Sequence, residues 1–216
     1  MSCLSNVKPH RLRSLCFPDM PALKKRRQET DVLTCGVDEA GRGALAGPVV
    51  AGACVLPSLR RFPVLITDSK QMSPAEREES FRWLLENAVC GVGSVEASEI
   101  DRIGILACTE IAMQRAVAQI SRLHPDLYLL VDGRDAFWFD HPHSSVVRGD
   151  QSEQCIAAAS ILAKVTRDHH MEALDRLVPE YGFVDHKGYG TADHFEAIRT
   201  IGISKEHRKT FLKNLT

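Results

Sequence analysis

Apolar residues in this chain fall into short blocks whose period switches between two and about three and a half, and the switches divide it into elements. Val32 to Val37 reads as a strand running into Asp38-Glu39, and after a glycine-rich turn Pro48 to Leu56 reads as a second strand, so the two suggest a hairpin-like pair. Ser73-Pro74-Ala75-Glu76 supplies an N-cap, a proline at the first helical position and a capping-box glutamate. It predicts a helix to about Ala88 with Phe81, Trp83, Leu84 and Leu85 turned inward. Val89 to Val95 reads as a third strand. Ile105 to Leu123 reads as an amphipathic helix feeding the apolar strand Leu127 to Val131, which stops at Asp132-Gly133. A short strand at Ser145 to Val147, one long helix from Gln151 to about Leu177, and short helices at His194 to Thr200 and Lys205 to Leu212 complete the reading. Strands in succession, then strands alternating with helices, imply an α/β fold with a mixed central sheet flanked by helices and a C-terminal helical extension.

Composition adds bounds. A chain of 216 residues, 44% hydrophobic and 25% charged, suits one catalytic domain with a sizeable core. Residues 1 to 30 hold three prolines and the run Lys24-Lys25-Arg26-Arg27 without a sustained period, and read as a poorly ordered basic arm before a domain over 31 to 216. No stretch is apolar enough to span a membrane and no signal-peptide core precedes a cleavage site, so a cytoplasmic protein is expected. Seven cysteines without a CxxC pair sit mostly in apolar runs, which argues against disulfides and structural zinc. No feature points to an oligomer, and a monomer is expected.

The net charge of −1 conceals segregation. Residues 1 to 30 carry seven Lys/Arg against two acids, residues 186 to 216 carry six against three, and the middle carries fourteen against twenty-three. Such a division suits a phosphodiesterase that holds cations with carboxylates and grips phosphate with Lys/Arg, although charge runs are more often solvated faces.

The acids are specifically placed. Asp38 and Glu39 stand where one strand ends and Asp132 where another does, and ligands of open α/β sheets bind beyond such ends. Asp150 precedes the long helix, where it can either cap the helix or join the other acids. Hard oxygen donors in this number suit Mg²⁺ or Mn²⁺. Gly41-Arg42-Gly43 follows at once, and residues without a Cβ let backbone groups approach a sugar or phosphate.

The whole run Gly36 to Pro48 closely resembles the first signature of ribonuclease HII. Thr67-Asp68-Ser69-Lys70, Val131-Asp132-Gly133, Gly149-Asp150, Ile156 to Asp168, His186 to Thr191 and His207-Arg208 then follow in the order that family shows. The resemblance covers about residues 34 to 211 and implies a ribonuclease H-like fold. It further implies that Asp38, Glu39, Asp132 and Asp150 hold two divalent cations, Mg²⁺ or Mn²⁺. The implied activity is hydrolysis of the RNA strand of RNA-DNA hybrids and incision beside ribonucleotides embedded in DNA, leaving 5′-phosphate and 3′-hydroxyl ends. Backbone groups of Gly41, Arg42 and Gly43 are implied in sensing the 2′-hydroxyl, and Tyr189 in packing against the adjoining deoxyribose, where the plainer reading is a tyrosine filling a turn.

Ser160, Lys164 and Arg167 share one edge of the long helix and, with Lys70, His207 and Arg208, are expected to contact substrate phosphates; for Arg167 pairing with a nearby acid is the alternative. His141, His143, His169 and His170 are assigned to surface or packing, and Phe137-Trp138-Phe139 to a hydrophobic plug. Arg134 and Asp135 depart from the family's pattern, in which an uncharged residue is more familiar after the Asp-Gly pair. Two other functions compete: a hybrid-binding protein of the same fold without turnover, and a nucleotide-phosphate hydrolase, for which the GxxxxGK[ST] run is missing.

Overall fold

A computed structural model describes residues 32–212, so the basic arm proposed for residues 1 to 30 lies outside the described residues. Strand β1 (Leu33–Ala40) pairs antiparallel with β2 (Val49–Val55), as the hairpin reading predicts, and β2 pairs antiparallel with β3 (Val89–Val95). On its other side β1 runs parallel to β4 (Leu127–Asp132), which runs parallel to β5 (His143–Val146). The sheet order β3-β2-β1-β4-β5 is therefore mixed, with the parallel pair β1/β4 at its centre.

Both faces are covered. Helix α1 (Pro74–Asn87) opens on the full Ser73/Glu76 capping box. Two further helices, α2 (Ala97–Ile103) and α3 (Ile105–Ser121), follow β3; the first has no counterpart in the sequence reading because its seven residues contain only two apolar core positions, Ala97 and Ile100. The expected long helix is two: α4 (Gly149–Ser152) and α5 (Gln154–Asp175), separated by Glu153 in an extended conformation. Helix α3 packs Cys108, Ala112, Met113, Ala116 and Ile120 against Cys35, Val37, Leu129 and Val131 on one face. Helix α5 packs Ala158, Ala159, Ile161, Leu162 and Val165 against the other. It lies so close that a Cβ on Gly36 would stand 2.1 Å from the Cys155 carbonyl carbon. Burying each of these large aliphatic side chains contributes about 1.5–3 kcal/mol.

The C-terminal region contains α6 (Phe183–His186), α7 (Ala192–Ile201) and a single 3₁₀ turn at Lys209–Phe211. A helix over Lys205 to Leu212 does not form, because residues 206 to 208 pair instead with the loop after β1: Gly47 N–H donates to Glu206 O, and Arg208 N–H donates to Leu45 O. No described helix is long and apolar enough to cross a membrane. Phe137 and Phe139 plug the core, whereas Trp138 between them is 61% exposed.

Candidate active site

Strand alternation decides which acids meet. Cys35 and Val37 on β1, and Leu129 and Val131 on β4, all face α3, so the even-numbered Asp38 and Asp132 face α5. The register Val37↔Val131 sets the two aspartates side by side at the strand ends. Asp150 arrives from α4, and oxygen atoms of Asp38, Asp132 and Asp150 lie within 4.8 Å of one another. Arg148, in the left-handed conformation, occupies the N-cap position of α4, and Asp150 sits inside the first turn without capping it. The capping alternative for Asp150 is thereby replaced by membership of the cluster. Gly149 N–H donates to Asp132 Oδ1 at 2.7 Å, and Glu39 N–H donates to Asp38 Oδ1 at 2.7 Å, which fix two of the carboxylates.

Glu39, next to Asp38 at the end of the same strand, lines the same cleft as Asp38 but is not in the three-acid cluster. Its Oε1 accepts from Arg42 Nη1 at 3.2 Å, and the same nitrogen lies 2.8 Å from Asp135 Oδ2. Among the described residues neither His141 nor His143 belongs to a group able to hold a metal.

Crowded buried carboxylates disfavour their own ionisation. Burial, followed by the charges of Glu39 and Asp132, lifts Asp38 well above the usual carboxylate range. Burial and Asp132 raise Asp150, and burial raises Glu39 against the opposing pull of Arg42. Lys70 is the cation at hand, its Nζ 3.5 Å from Asp150 Oδ2; its partial burial is outweighed by Asp150, Asp38 and Asp68, which hold the ammonium protonated.

Beside the cluster opens a cleft of about 470 Å³ whose lining includes Gly41, Arg42, Gly43, Lys70, Ser160, Lys164 and Tyr189. The structure thus gathers seven of the ten expected substrate residues around one space. Gly41 takes φ +92°, and a Cβ there would stand 2.1 Å from Arg167 Nε, so only glycine fits. Lys164 pairs with Asp168 at 2.8 Å while its end remains on the cleft wall. Ser160 Oγ–H donates to Ala157 O.

The other three, Arg167, His207 and Arg208, are corrected by their surroundings. All are buried, at 0%, 1% and 0% exposure, and none is on the cleft wall. Arg167 donates to Pro48 O and Ala46 O and lies with its guanidinium 5.1 Å from the centroid of the Tyr189 ring. Arg208 donates twice to Gly47 O and once to Arg42 O. Two guanidinium groups therefore clamp the carbonyls of the loop from Arg42 to Pro48, and among the described residues Arg167 does not make the alternative pairing with an acid either. Burial and the neighbouring Arg167 lower Arg208 to about 10, which leaves it charged near neutrality.

His207 ends a chain of hydrogen bonds with only one consistent protonation pattern. His194 Nδ1–H donates to Tyr189 O, so its Nε2 accepts from His207 Nε2–H at 3.1 Å, and His207 Nδ1 accepts from Ser204 N–H. Both rings are neutral, and burial is the main cause that takes His207 from 6.5 to about 4.

Sequence reasoning missed Asp68, Asp135 and His194. Asp68 is buried, accepts from Lys70 N–H, Gln71 and Gln151, and holds the turn that carries Lys70. Its place inside Thr67-Asp68-Ser69-Lys70 was the available signal. Nothing in the sequence pattern alone pairs Asp135 with Arg42.

Comparison with known proteins agrees with this geometry. Residues 35–214 match the family described as Ribonuclease HII. A Ribonuclease HII of Desulfitobacterium hafniense is 48% identical over 177 residues, 82% of this chain and 67% of the relative. One from Chlamydia pneumoniae is 46% identical over 200 residues, 90% and 91% of the two chains. The crystal structure of ribonuclease H2 from Pyrococcus horikoshii OT3 superposes with a TM-score of 0.66 at 25% identity, covering 84% of this chain and 96% of that one. With the family matched over most of its length, and its carboxylates gathered beside a glycine loop on a ribonuclease H-like sheet, the chain belongs to the ribonuclease HII family and is a hydrolase of the ribonuclease H type.

Proposed function

We propose that this protein is an endonuclease that cuts the RNA strand of RNA-DNA hybrids and incises beside ribonucleotides embedded in duplex DNA, with two divalent cations in attendance. The observation that carries the reading is the convergence of Asp38, Asp132 and Asp150 within 4.8 Å, next to a cleft lined by Gly41 to Gly43 and by Lys70 and Lys164.

The residues fit a hard divalent cation. Every candidate ligand is a carboxylate, and three of them crowd within 4.8 Å of one another with Lys70 Nζ 3.5 Å from Asp150 as counter-charge. Asp38, Asp132 and Asp150 would hold the ions, with Glu39 joining after it leaves Arg42. Bound there, Mg²⁺ or Mn²⁺ would supply an activated water for in-line attack on phosphorus and stabilise the departing 3′ oxygen, giving 5′-phosphate and 3′-hydroxyl ends.

The chain's own groups do the rest. Lys70 and Lys164 hold flanking phosphates without reading sequence. Backbone groups of Gly41, Arg42 and Gly43, pressed forward by the two buried arginines, meet the 2′-hydroxyl that separates ribose from deoxyribose. Tyr189, with Arg167 behind its ring, presents a flat apolar face to the adjoining deoxyribose. Ser160 lines the same wall. The test is a panel of three labelled duplexes, one with a single ribonucleotide, one continuous hybrid and one all DNA, each with Mg²⁺ and with Mn²⁺. Cutting of the first two and sparing of the third supports the reading, and equal cutting of all three refutes it.

A further inference from the structure

One guanidinium serves two acids at the mouth of the cleft. Arg42 Nη1 stands 3.2 Å from Glu39 Oε1 and 2.8 Å from Asp135 Oδ2. While Glu39 holds this bond it lines the cleft beside Asp38 but stays outside the cluster of Asp38, Asp132 and Asp150. A divalent cation on those three would attract the Glu39 carboxylate and repel the Arg42 guanidinium, so loading the site exchanges the Glu39–Arg42 bond for a Glu39–cation bond. Arg42 then needs another partner. Asp135 is positioned to be it: its contact is the shorter of the two, it comes from the separate segment after β4, and it lies outside the cluster.

We propose that Asp135 is a positioning residue acting through Arg42, retaining the guanidinium at the rim so that Glu39 is free to turn to the cation and the Gly41–Gly43 loop keeps its place. The inference rests on the reading of Glu39 as a cation ligand. In the absence of Asp135, Arg42 has among the described residues only Glu39 to pair with and competes more strongly with the cation for it. Both carboxylates also share their charge with Arg42, which they keep firmly protonated against its partial burial.

The test is Mn²⁺ binding to the substrate-free protein, read from the electron paramagnetic resonance signal of the free ion. Arg42 and Asp135 are each about a third exposed, so the effect is modest. D135N is expected to weaken Mn²⁺ binding about three- to fivefold, the scale of a partly exposed ion pair, and D135E to restore it. R42Q is expected to abolish the difference, so that R42Q and R42Q/D135N bind Mn²⁺ equally. An unchanged affinity in D135N, or the same loss from D135N whether or not Arg42 is present, overturns the proposal, the second result showing that Asp135 acts only by its charge at a distance. E39Q separates the underlying reading: if it leaves Mn²⁺ affinity unaltered, Glu39 is not a ligand and the proposal falls with that assignment, whereas a loss in E39Q without one in D135N sinks the proposal alone.

Discussion

Asp38 shows how one residue can work against the fold for the sake of chemistry. Its carboxylate is buried and faces Asp132 and Asp150, so its ionised form is disfavoured in the folded chain. A carboxylate raised in this way binds more protons folded than unfolded between the two ranges, so its contribution to stability falls as pH rises through that window. D38N is therefore expected to stabilise the cation-free protein by about 1–2 kcal/mol, or ~2–8 °C in Tm for a chain of this size. Thermal melts in EDTA check this, and saturating Mn²⁺ should cancel or reverse the gain, because binding to the parent adds stability that the variant lacks. Glu39 illustrates what was legible at this scale. Its place at the end of β1 beside Asp38, on the wall of one cleft, could be read from the sequence, where the two acids are consecutive. The partner that Glu39 takes instead, Arg42 shared with Asp135, could not, because the loops that carry Arg42 and Asp135 have no periodicity to relate them.

At the scale of elements, β1, β2, β3, α1, α3 and β4 were evident: β1 and β2 as short continuous apolar runs buried on both faces, the others from period and caps. The break at Glu153 was not, because Gly149-Asp150-Gln151-Ser152 and the residues after it all tolerate helix; tertiary position, with Gly149 pressed against Ile156 and Asp132, sets the interruption. The segment from Lys205 to Arg208 likewise has helix-compatible residues but bonds to the loop after β1. Its His207 makes a pH prediction. A histidine lowered from 6.5 to about 4 stays neutral in the fold while the unfolded chain takes up its proton. Stability from this group is thus full above about pH 6.5 and declines as pH falls toward 4, by about 3 kcal/mol at 1.36 kcal/mol per pH unit. Urea midpoints between pH 7 and 4.5 should fall less steeply in H207Q, whose amide can still donate to His194 and accept from Ser204; an identical slope would assign the acid sensitivity elsewhere.

Across the whole molecule, segregated charge becomes geometry. The acidic middle supplies Asp38, Asp132 and Asp150, while the basic C-terminal segment supplies Arg208, which lies behind the loop as a clamp and not on the cleft surface. Charge counting alone could not separate a buried guanidinium from an exposed ammonium. Salt dependence can. If Lys164 grips a phosphate, K164A should reduce the slope of log affinity for hybrid against log salt by about 0.7–0.9. R208K, which retains the charge but loses the fork of donors to Gly47 O and Arg42 O, should leave that slope unchanged and lower stability by about 1–3 kcal/mol.

The account depends on carboxylates from three separate segments acting together on one phosphodiester. Its most direct test is cleavage of a duplex containing a single ribonucleotide by D132N, with binding of the same duplex measured in parallel. Loss of cutting by at least about a thousandfold, with duplex affinity kept within a few fold of the parent, is the predicted result. Cutting at the parent's rate by a folded D132N protein would contradict it.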